Sequence, residues 1–215
     1  MAIRILLADD HPIFRAGLRS LLEAQPGVEI LAELEDGLGA VEAAQTHKPG
    51  IVVIDVSMPG MNGLEATRRI TAEAPGVKVL CLSMHSDRRF VDAALRSGAH
   101  GYLLKECALE ELVSAIHAVL AGQIYLSPGL ADAVLEGYRA EGGERSALSL
   151  LTSREREVLQ LLAEGHATQD IAARLHVSAK TVGTHREHLM QKLGTHSLAG
   201  LTKLAIREGL TSAEK

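Results

Sequence analysis

The stretch Ile51-Val52-Val53-Ile54-Asp55-Val56-Ser57-Met58-Pro59-Gly60-Met61-Asn62-Gly63 decides the fold. It begins with four apolar β-branched residues, the pattern of a buried strand. It then delivers a carboxylate, Asp55, and breaks into a Pro/Gly turn. In an open α/β sheet, ligands bind beyond the carboxyl ends of the strands. Other predicted strand ends in this chain carry Asp9 and Asp10, Ser83, and Lys105. A doubly wound sheet would bring these groups together around Asp55.

Outward from that strand the pattern repeats. A strand over 3–8 ends in Asp9-Asp10-His11-Pro12, and Pro12 suits the first turn of a helix. Ile13, Phe14, Gly17, Leu18, Leu21 and Leu22 then fall at helical spacing. A strand over 28–34 and a helix over 37–47 follow, the latter with Leu38, Val41 and Ala44 on one face. After Asp55 come a helix over 64–74, a strand over 77–83, a helix over 87–97, a strand over 101–104 and a helix over 108–121. Pro-Gly pairs or single glycines punctuate the joins. Residues 1–122 thus read as five β/α units, a doubly wound parallel sheet with right-handed crossovers.

Residues 123–147 read as a linker. Ser127-Pro128 opens a short helix to Leu135, and Glu141-Gly142-Gly143-Glu144 has the composition of a flexible joint. From 148 to 215 the period is helical. Thr152-Ser153-Arg154-Glu155 is a capping box. Val158, Leu159, Leu161 and Leu162 form an apolar face, and Gly165 is a stop. Thr168 is the candidate cap of a second short helix carrying Ile171, Ala172 and Leu175. Ser178 caps a third, with Val182, Leu189 and Leu193 inward, and a fourth spans 197–208. Two short helices joined by a tight turn make a helix-turn-helix, so this part is a small all-α domain of four helices.

Composition narrows the function classes. The chain has 47% hydrophobic and 23% charged residues, as ordinary globular proteins do, and no Trp, so its cores rest on Leu, Ile, Val and Ala. No apolar run is long enough to span a bilayer, and the N-terminus lacks the pattern of a secretory leader, so a cytoplasmic protein is expected. Cys81 and Cys107 have no ligand or disulfide spacing, and Cys81 reads as a small buried hydrophobe. From Leu148 onward 9 Lys and Arg stand against 7 Asp and Glu, whereas the rest carries 13 against 20. Only the C-terminal part is therefore suited to a polyanion.

Three carboxylates at one sheet edge repel each other unless a cation sits among them, and hard oxygens suit Mg²⁺. Asp55 is then placed to attack a phosphoryl donor and form an acyl phosphate. Lys105 supplies a point charge for the phosphoryl oxygens and Ser83 a hydrogen bond.

These residues carry a resemblance. Asp9-Asp10, Asp55 with Met58-Pro59 and Gly63, Ser83, and Gly101-Tyr102-Leu103-Leu104-Lys105 resemble a two-component receiver domain. Leu151-Thr152-Ser153-Arg154-Glu155, Ile171-Ala172-Ala173-Arg174-Leu175, Ser178, Thr181-Val182, His185 and Lys192-Leu193-Gly194 resemble a LuxR-type helix-turn-helix. In this order they resemble the NarL/FixJ-type response regulators across nearly the whole chain. The resemblance implies that Asp55 accepts a phosphoryl group from a sensor histidine kinase. It implies that Asp10 ligates Mg²⁺ directly and Asp9 mostly through water, with the Ser57 main-chain carbonyl as a further ligand. It implies that Ser83 and Tyr102 form the switch and that Ser57 and His85 set the phosphoryl lifetime. It also implies dimerisation on double-stranded DNA.

Lys180, Thr181, Arg186 and Lys192 are candidate DNA-phosphate contacts. The outward face of the third C-terminal helix, where the family reads bases, is here Gly183, Thr184 and Glu187. Gly183 and acidic Glu187 depart from the family's basic pattern, and Thr184 and Glu187 are suited to a thymine methyl and a cytosine amino group. His185 reads as a packing residue, and His185 with His188 lack further metal ligands. The stripe Leu198, Leu201, Leu204 and Ala205 serves either as core or as dimer surface. Two rivals stand. A haloacid-dehalogenase-type phosphohydrolase needs a second Asp where this chain has Ser57. A phosphate-independent regulator needs none of the acidic cluster.

Overall fold

The computed structural model describes residues 2–130 and 147–211. The chain divides into two compact units, 1–140 and 141–215.

The first unit contains β1 (Ile3–Ala8), α1 (Pro12–Glu23), β2 (Val28–Leu34), α2 (Gly37–His47), β3 (Ile51–Asp55) and α3 (Gly63–Glu73). It continues with β4 (Lys78–Ser83), α4 (Arg88–Arg96), β5 (Gly101–Leu104), α5 (Ala108–Leu120) and β6 (Tyr125–Leu126). All strand pairs are parallel, in the order β2-β1-β3-β4-β5-β6. The winding reverses at β1, which has β2 on one side and β3 on the other, and the crevice lies between the carboxyl ends of β1 and β3. That topology places Asp9, Asp10 and Asp55 at one opening.

The period-2 alternation of the strands feeds two cores. Leu6, Ala8, Val52, Ile54, Val79, Cys81 and Tyr102 pack with Val41, Leu64, Ile70 and Val91 on the α2–α4 face. Ile5, Leu7, Val53, Leu80, Leu82 and Leu103 pack with Leu18, Leu22, Leu112 and Ile116 on the α1/α5 face. Cys81 is buried as expected, and burial pushes its thiol up to about 12, which keeps it unreactive. Two expected core residues are not in the core. Ile13 is 91% exposed and Leu38 is 50% exposed. Helical spacing tolerates neighbours on the stripe's edge, and α1 and α2 instead bury Leu18 with Leu22 and Ala40 with Val41 and Ala44.

The sheet has six strands where the sequence showed five. Tyr125 and Leu126 align with Gly101 and Tyr102, so the first part of the expected linker completes the sheet. A two-residue strand carries no periodic signal, which is why it was illegible. Ser127 anchors it. Its N–H donates to the Tyr102 carbonyl (3.1 Å), and its Oγ accepts from the Leu104 N–H (3.0 Å) and donates to Glu111 (3.2 Å). Tyr125 Oη donates to the same carboxylate at 2.9 Å. Ser127→Ala strands the buried Leu104 donor, so a loss of about 1–3 kcal/mol is expected in urea unfolding. An unchanged midpoint would show that the strap adds nothing to the sheet. The helix expected from Ser127 to Leu135 and the Glu141–Glu144 joint fall largely outside the described residues.

The second unit contains α6 (Ser153–Ala163), α7 (Thr168–Arg174), α8 (Ala179–Leu193) and α9 (Leu198–Arg207). The capping box at Thr152 and Glu155 is present, and Ser178 and Ser197 cap α8 and α9. Thr168 does not cap α7. The N-cap position is Ala167, with no side-chain bond, and Thr168 is already the first helical residue. The tight turn between α7 and α8 is made at His176, which adopts a left-handed φ of 53°. Val158, Leu161, Ile171, Val182, Leu189, Leu201 and Ala205 form one core. The α9 stripe is therefore divided: Leu201 and Ala205 are fully buried, while Leu198 remains exposed.

Candidate functional site

At the end of β1, Asp9 is buried and its Oδ1 accepts the His11 N–H at 2.8 Å. This short turn precedes α1, whose N-cap is His11 with no side-chain cap and whose first residue is Pro12. The Asp9 carbonyl accepts from the Arg15 guanidinium, which also holds Glu35 at 2.9 Å. At the end of β3, Asp55 is equally buried, and its Oδ1 accepts the Ser57 N–H at 3.0 Å. Lys105 follows β5 and reaches back into the crevice. Its Nζ stands 2.9 Å from Asp55 Oδ2 and 2.7 Å from Asp9 Oδ2, above the Phe14 ring at 4.8 Å. With 5% of its side chain exposed, Lys105 is no solvated surface lysine. A buried ammonium is tolerated because two carboxylates hold it.

Ligand atoms of Asp9, Asp10, His11 and Asp55 lie within 4.8 Å of one another. Three carboxylates face one ammonium, and Asp9 Oδ2, though beside Lys105, lacks a hydrogen bond of proper geometry among the described residues. This donor set, rich in hard oxygens and short of positive charge, fits a divalent cation such as Mg²⁺.

Asp55 aligns with Leu82, so Ser83 lies one residue further along the neighbouring strand. Ser83 is buried, and its Oγ accepts the His85 N–H at 3.0 Å. Tyr102 is also fully buried, and its hydroxyl donates to the His85 carbonyl at 2.7 Å. Burial raises the Tyr102 hydroxyl far above its ordinary range, so it remains a neutral donor. The two expected switch residues thus grip one loop residue, whose ring stacks on Phe90 at 4.3 Å. His11 is the site residue that sequence reasoning passed over. Its Nδ1 lies 2.9 Å from Asp10 Oδ1, 3.1 Å from Asp9 Oδ1 and 3.7 Å from Asp55 Oδ2. The only signal was its place beside the acidic pair.

In the second unit, Lys180, Thr181, Thr184 and Glu187 are exposed on α8, and Gly183 and Arg186 are half-buried. A Cβ on Gly183 would meet nothing within 4 Å, so packing does not require glycine there. Thr181 Oγ1 is shared with the Ser178 cap at 2.8 Å, and Thr184 Oγ1 donates to the Lys180 carbonyl at 3.2 Å. His185 is half-buried with its Nδ1 inside, in keeping with a packing role.

Lys192 is engaged within the domain. Its Nζ donates to Glu155 at 2.7 Å, and the same buried carboxylate closes the α6 capping box. Burial works to raise the Glu155 carboxyl, but Lys192 and the bonds with Thr152 outweigh it, so it titrates below the ordinary carboxylate range. A depressed folded pKa means stability that is present above the unfolded value and lost as pH falls through the folded one. The thermal midpoint of this unit is therefore expected to fall on acidification through that window, and Glu155→Gln to flatten the slope. An identical slope in both proteins would assign the pH dependence to other carboxylates.

Strand-end carboxylates with a buried lysine on a doubly wound sheet, joined to a four-helix unit carrying a helix-turn-helix, are the features of a receiver-type domain followed by a DNA-binding module. Comparison with known proteins agrees. Residues 5–117 match the response regulator receiver domain, and residues 149–205 match the bacterial regulatory proteins of the luxR family. The chain is 36% identical to the transcriptional regulatory protein DegU of Brevibacillus brevis, over 96% of this chain and 94% of that one. It is 36% identical to the response regulator UvrY of Escherichia coli, over 99% and 97%. Among solved structures it is similar to a LuxR-family two-component response regulator from an Aurantimonas species (TM-score 0.62, 40% identity, 66% of this chain and 100% of that one). It is also similar to RcsB of Salmonella enterica serovar Typhimurium bound to promoter DNA in the presence of phosphomimetic BeF3⁻ (TM-score 0.62, 28% identity, 96% and 99%). The chain belongs to the two-component response regulators that pair a receiver domain with a LuxR-type DNA-binding domain. No helix among the described residues is long and apolar enough to cross a membrane.

Proposed function

We propose that Asp55 is the phosphoacceptor of a phosphorylation-switched transcription regulator, and that the phosphoryl group comes from a phosphohistidine of a sensor histidine kinase. The observation that carries this is the meeting of Asp9, Asp10, Asp55 and Lys105 from three strand ends in one crevice. An Asp55 carboxylate oxygen attacks phosphorus, the P–N bond of the donor breaks, and the imidazole leaves with the electron pair. Lys105, already 2.9 Å from Asp55 Oδ2, follows the negative charge onto the phosphoryl oxygens. Asp10, Asp9, Asp55 and the Ser57 main-chain carbonyl would hold Mg²⁺, which would supply further positive charge for phosphoryl transfer.

Ser83 moves its hydroxyl toward the new phosphoryl group. The His85 loop, bonded to both Ser83 and Tyr102, carries the change outward and shifts the population toward a dimer competent for DNA. Lys180, Thr181, Arg186 and Lys192 contact backbone phosphates, the last while keeping Glu155, and Thr184 and Glu187 face base edges beside the open surface at Gly183. The protein works in the cytoplasm and assists only its own phosphoryl transfer and hydrolysis. Intact mass after incubation with acetyl phosphate and Mg²⁺, followed by gel-shift with promoter DNA, tests the reading. An adduct that leaves both oligomeric state and DNA affinity unchanged would refute the switch.

A further inference from the structure

We infer that Gly183 and Thr184 set the sequence preference of α8 by seating the 5-methyl group of a thymine, rather than by donating hydrogen bonds to a base. The inference rests on the reading of α8 as the helix that enters the major groove of DNA. α8 buries Val182 and Leu189 against the domain core, which leaves Lys180, Thr184 and Glu187 exposed on its other side. Gly183 adjoins them, half-buried. Glycine in a helix interior is destabilising relative to alanine. Here its φ is not positive, and an added Cβ would meet nothing within 4 Å. Nothing inside the domain therefore calls for glycine. What the missing side chain leaves is an open stretch of helix surface beside Thr184.

Thr184 supplies the methyl of the contact. Its Oγ1 donates to the Lys180 carbonyl at 3.2 Å, one turn back. That bond uses the hydroxyl proton within the helix, and because the side chain is branched at Cβ, fixing Oγ1 fixes the γ-methyl as well. Glu187 adds an acceptor and no donor, and Gly183 adds neither. Guanine shows only acceptors, N7 and O6, in the major groove and is read by donors. The side chains at 183, 184 and 187 have no proton to give it. Thymine differs from the other bases in its 5-methyl, which stands in the major groove and takes apolar contacts. A threonine methyl beside a bare glycine has the room and the chemistry for that contact.

The test uses the full chain treated with acetyl phosphate and Mg²⁺, first to select duplex sites from a random pool. Each thymine of the selected site is then replaced in turn by deoxyuridine, which lacks only the methyl, and affinities are read by gel-shift. For the wild type, one uracil per half-site should weaken binding about three- to tenfold, the scale of exposing one buried methyl. Thr184→Val keeps the methyl and should keep that penalty, whereas Thr184→Ser keeps the hydroxyl and should lose it. Gly183→Leu, which the open surface accommodates, should raise the thermal midpoint of the unit yet bind the selected site more weakly and without a uracil penalty. A wild-type chain indifferent to every uracil, or a Thr184→Ser penalty equal to that of the wild type, would overturn the seat while leaving α8 as the DNA-reading helix. A chain that enriches no sequence would overturn the recognition reading and the seat together.

Discussion

Replacing Asp55 with Asn is expected to abolish the phosphoryl adduct formed with acetyl phosphate and Mg²⁺, while leaving the fold intact. Asn is nearly isosteric and keeps an oxygen to accept the Ser57 N–H, which Asp55 Oδ1 does now at 3.0 Å. It lacks the anionic oxygen that attacks phosphorus, so the effect on labelling is all-or-none. The structural cost should be small because Lys105 retains Asp9 Oδ2 at 2.7 Å, and one repulsive carboxylate leaves the crevice. Intact-mass spectrometry with wild type, Asp55→Asn and a chelator control reads the result directly. Loss of the adduct in the variant and with chelator would assign both nucleophile and cation. An adduct persisting in Asp55→Asn would move the acceptor elsewhere. DNA binding that is equal in both proteins, with or without donor, would favour a phosphate-independent regulator built on the same fold.

Gly63→Ala is expected to cost on the order of 3 kcal/mol or more, the upper end of overpacking effects, and to lower phosphorylation among the molecules that remain folded. Gly63 opens α3, and its N–H donates to the Val56 carbonyl at 3.0 Å, which folds the helix start against the end of β3. A Cβ here would run into the Asp55 carbonyl oxygen, with the Asp55 carbonyl carbon 2.8 Å away and Val56 Cα at 3.0 Å. All three are backbone atoms and none can swing aside as a side-chain tip would. Relief requires moving either α3 or the strand end that carries the phosphoacceptor. Thermal unfolding gives the stability loss, and labelling at a temperature where the variant is folded gives the second effect. Wild-type stability in Gly63→Ala would mean that the turn relaxes freely and that this close approach places no constraint on Asp55.

The two substitutions differ in how far the sequence foresaw them. Asp55 is visible as a carboxylate after four apolar β-branched residues, because strand burial and strand ends leave a local pattern. Gly63 is visible as a turn residue and as part of the receiver-like pattern, but not as a point of close approach. Its role comes from a backbone–backbone approach between residues eight positions apart, and no local pattern encodes a distance. The same division runs through the second domain. Thr152 and Glu155 announced their capping box, since both partners lie within one helical turn. The contact between Glu155 and Lys192 joins two helices and needed the packed core to appear.

By itself the sequence determined the alternation of strands and helices, the parallel doubly wound sheet, the helix-turn-helix, and Asp9, Asp10, Asp55, Ser83 and Lys105 as strand-end groups. All of these follow from local propensity and periodicity. Only the tertiary structure decided that Lys105 bridges Asp9 and Asp55, that Ser83 and Tyr102 share His85, that His11 joins the acidic pocket, and that Ser127 ties a sixth strand to the sheet. It also decided that Ile13 and Leu38 face outward, because a helical stripe is wider than the surface the sheet offers it. The physical reason is common to these cases. Each depends on where two elements far apart in the chain come to rest, and that position is fixed by the packing of both cores rather than by any residue's neighbours in sequence.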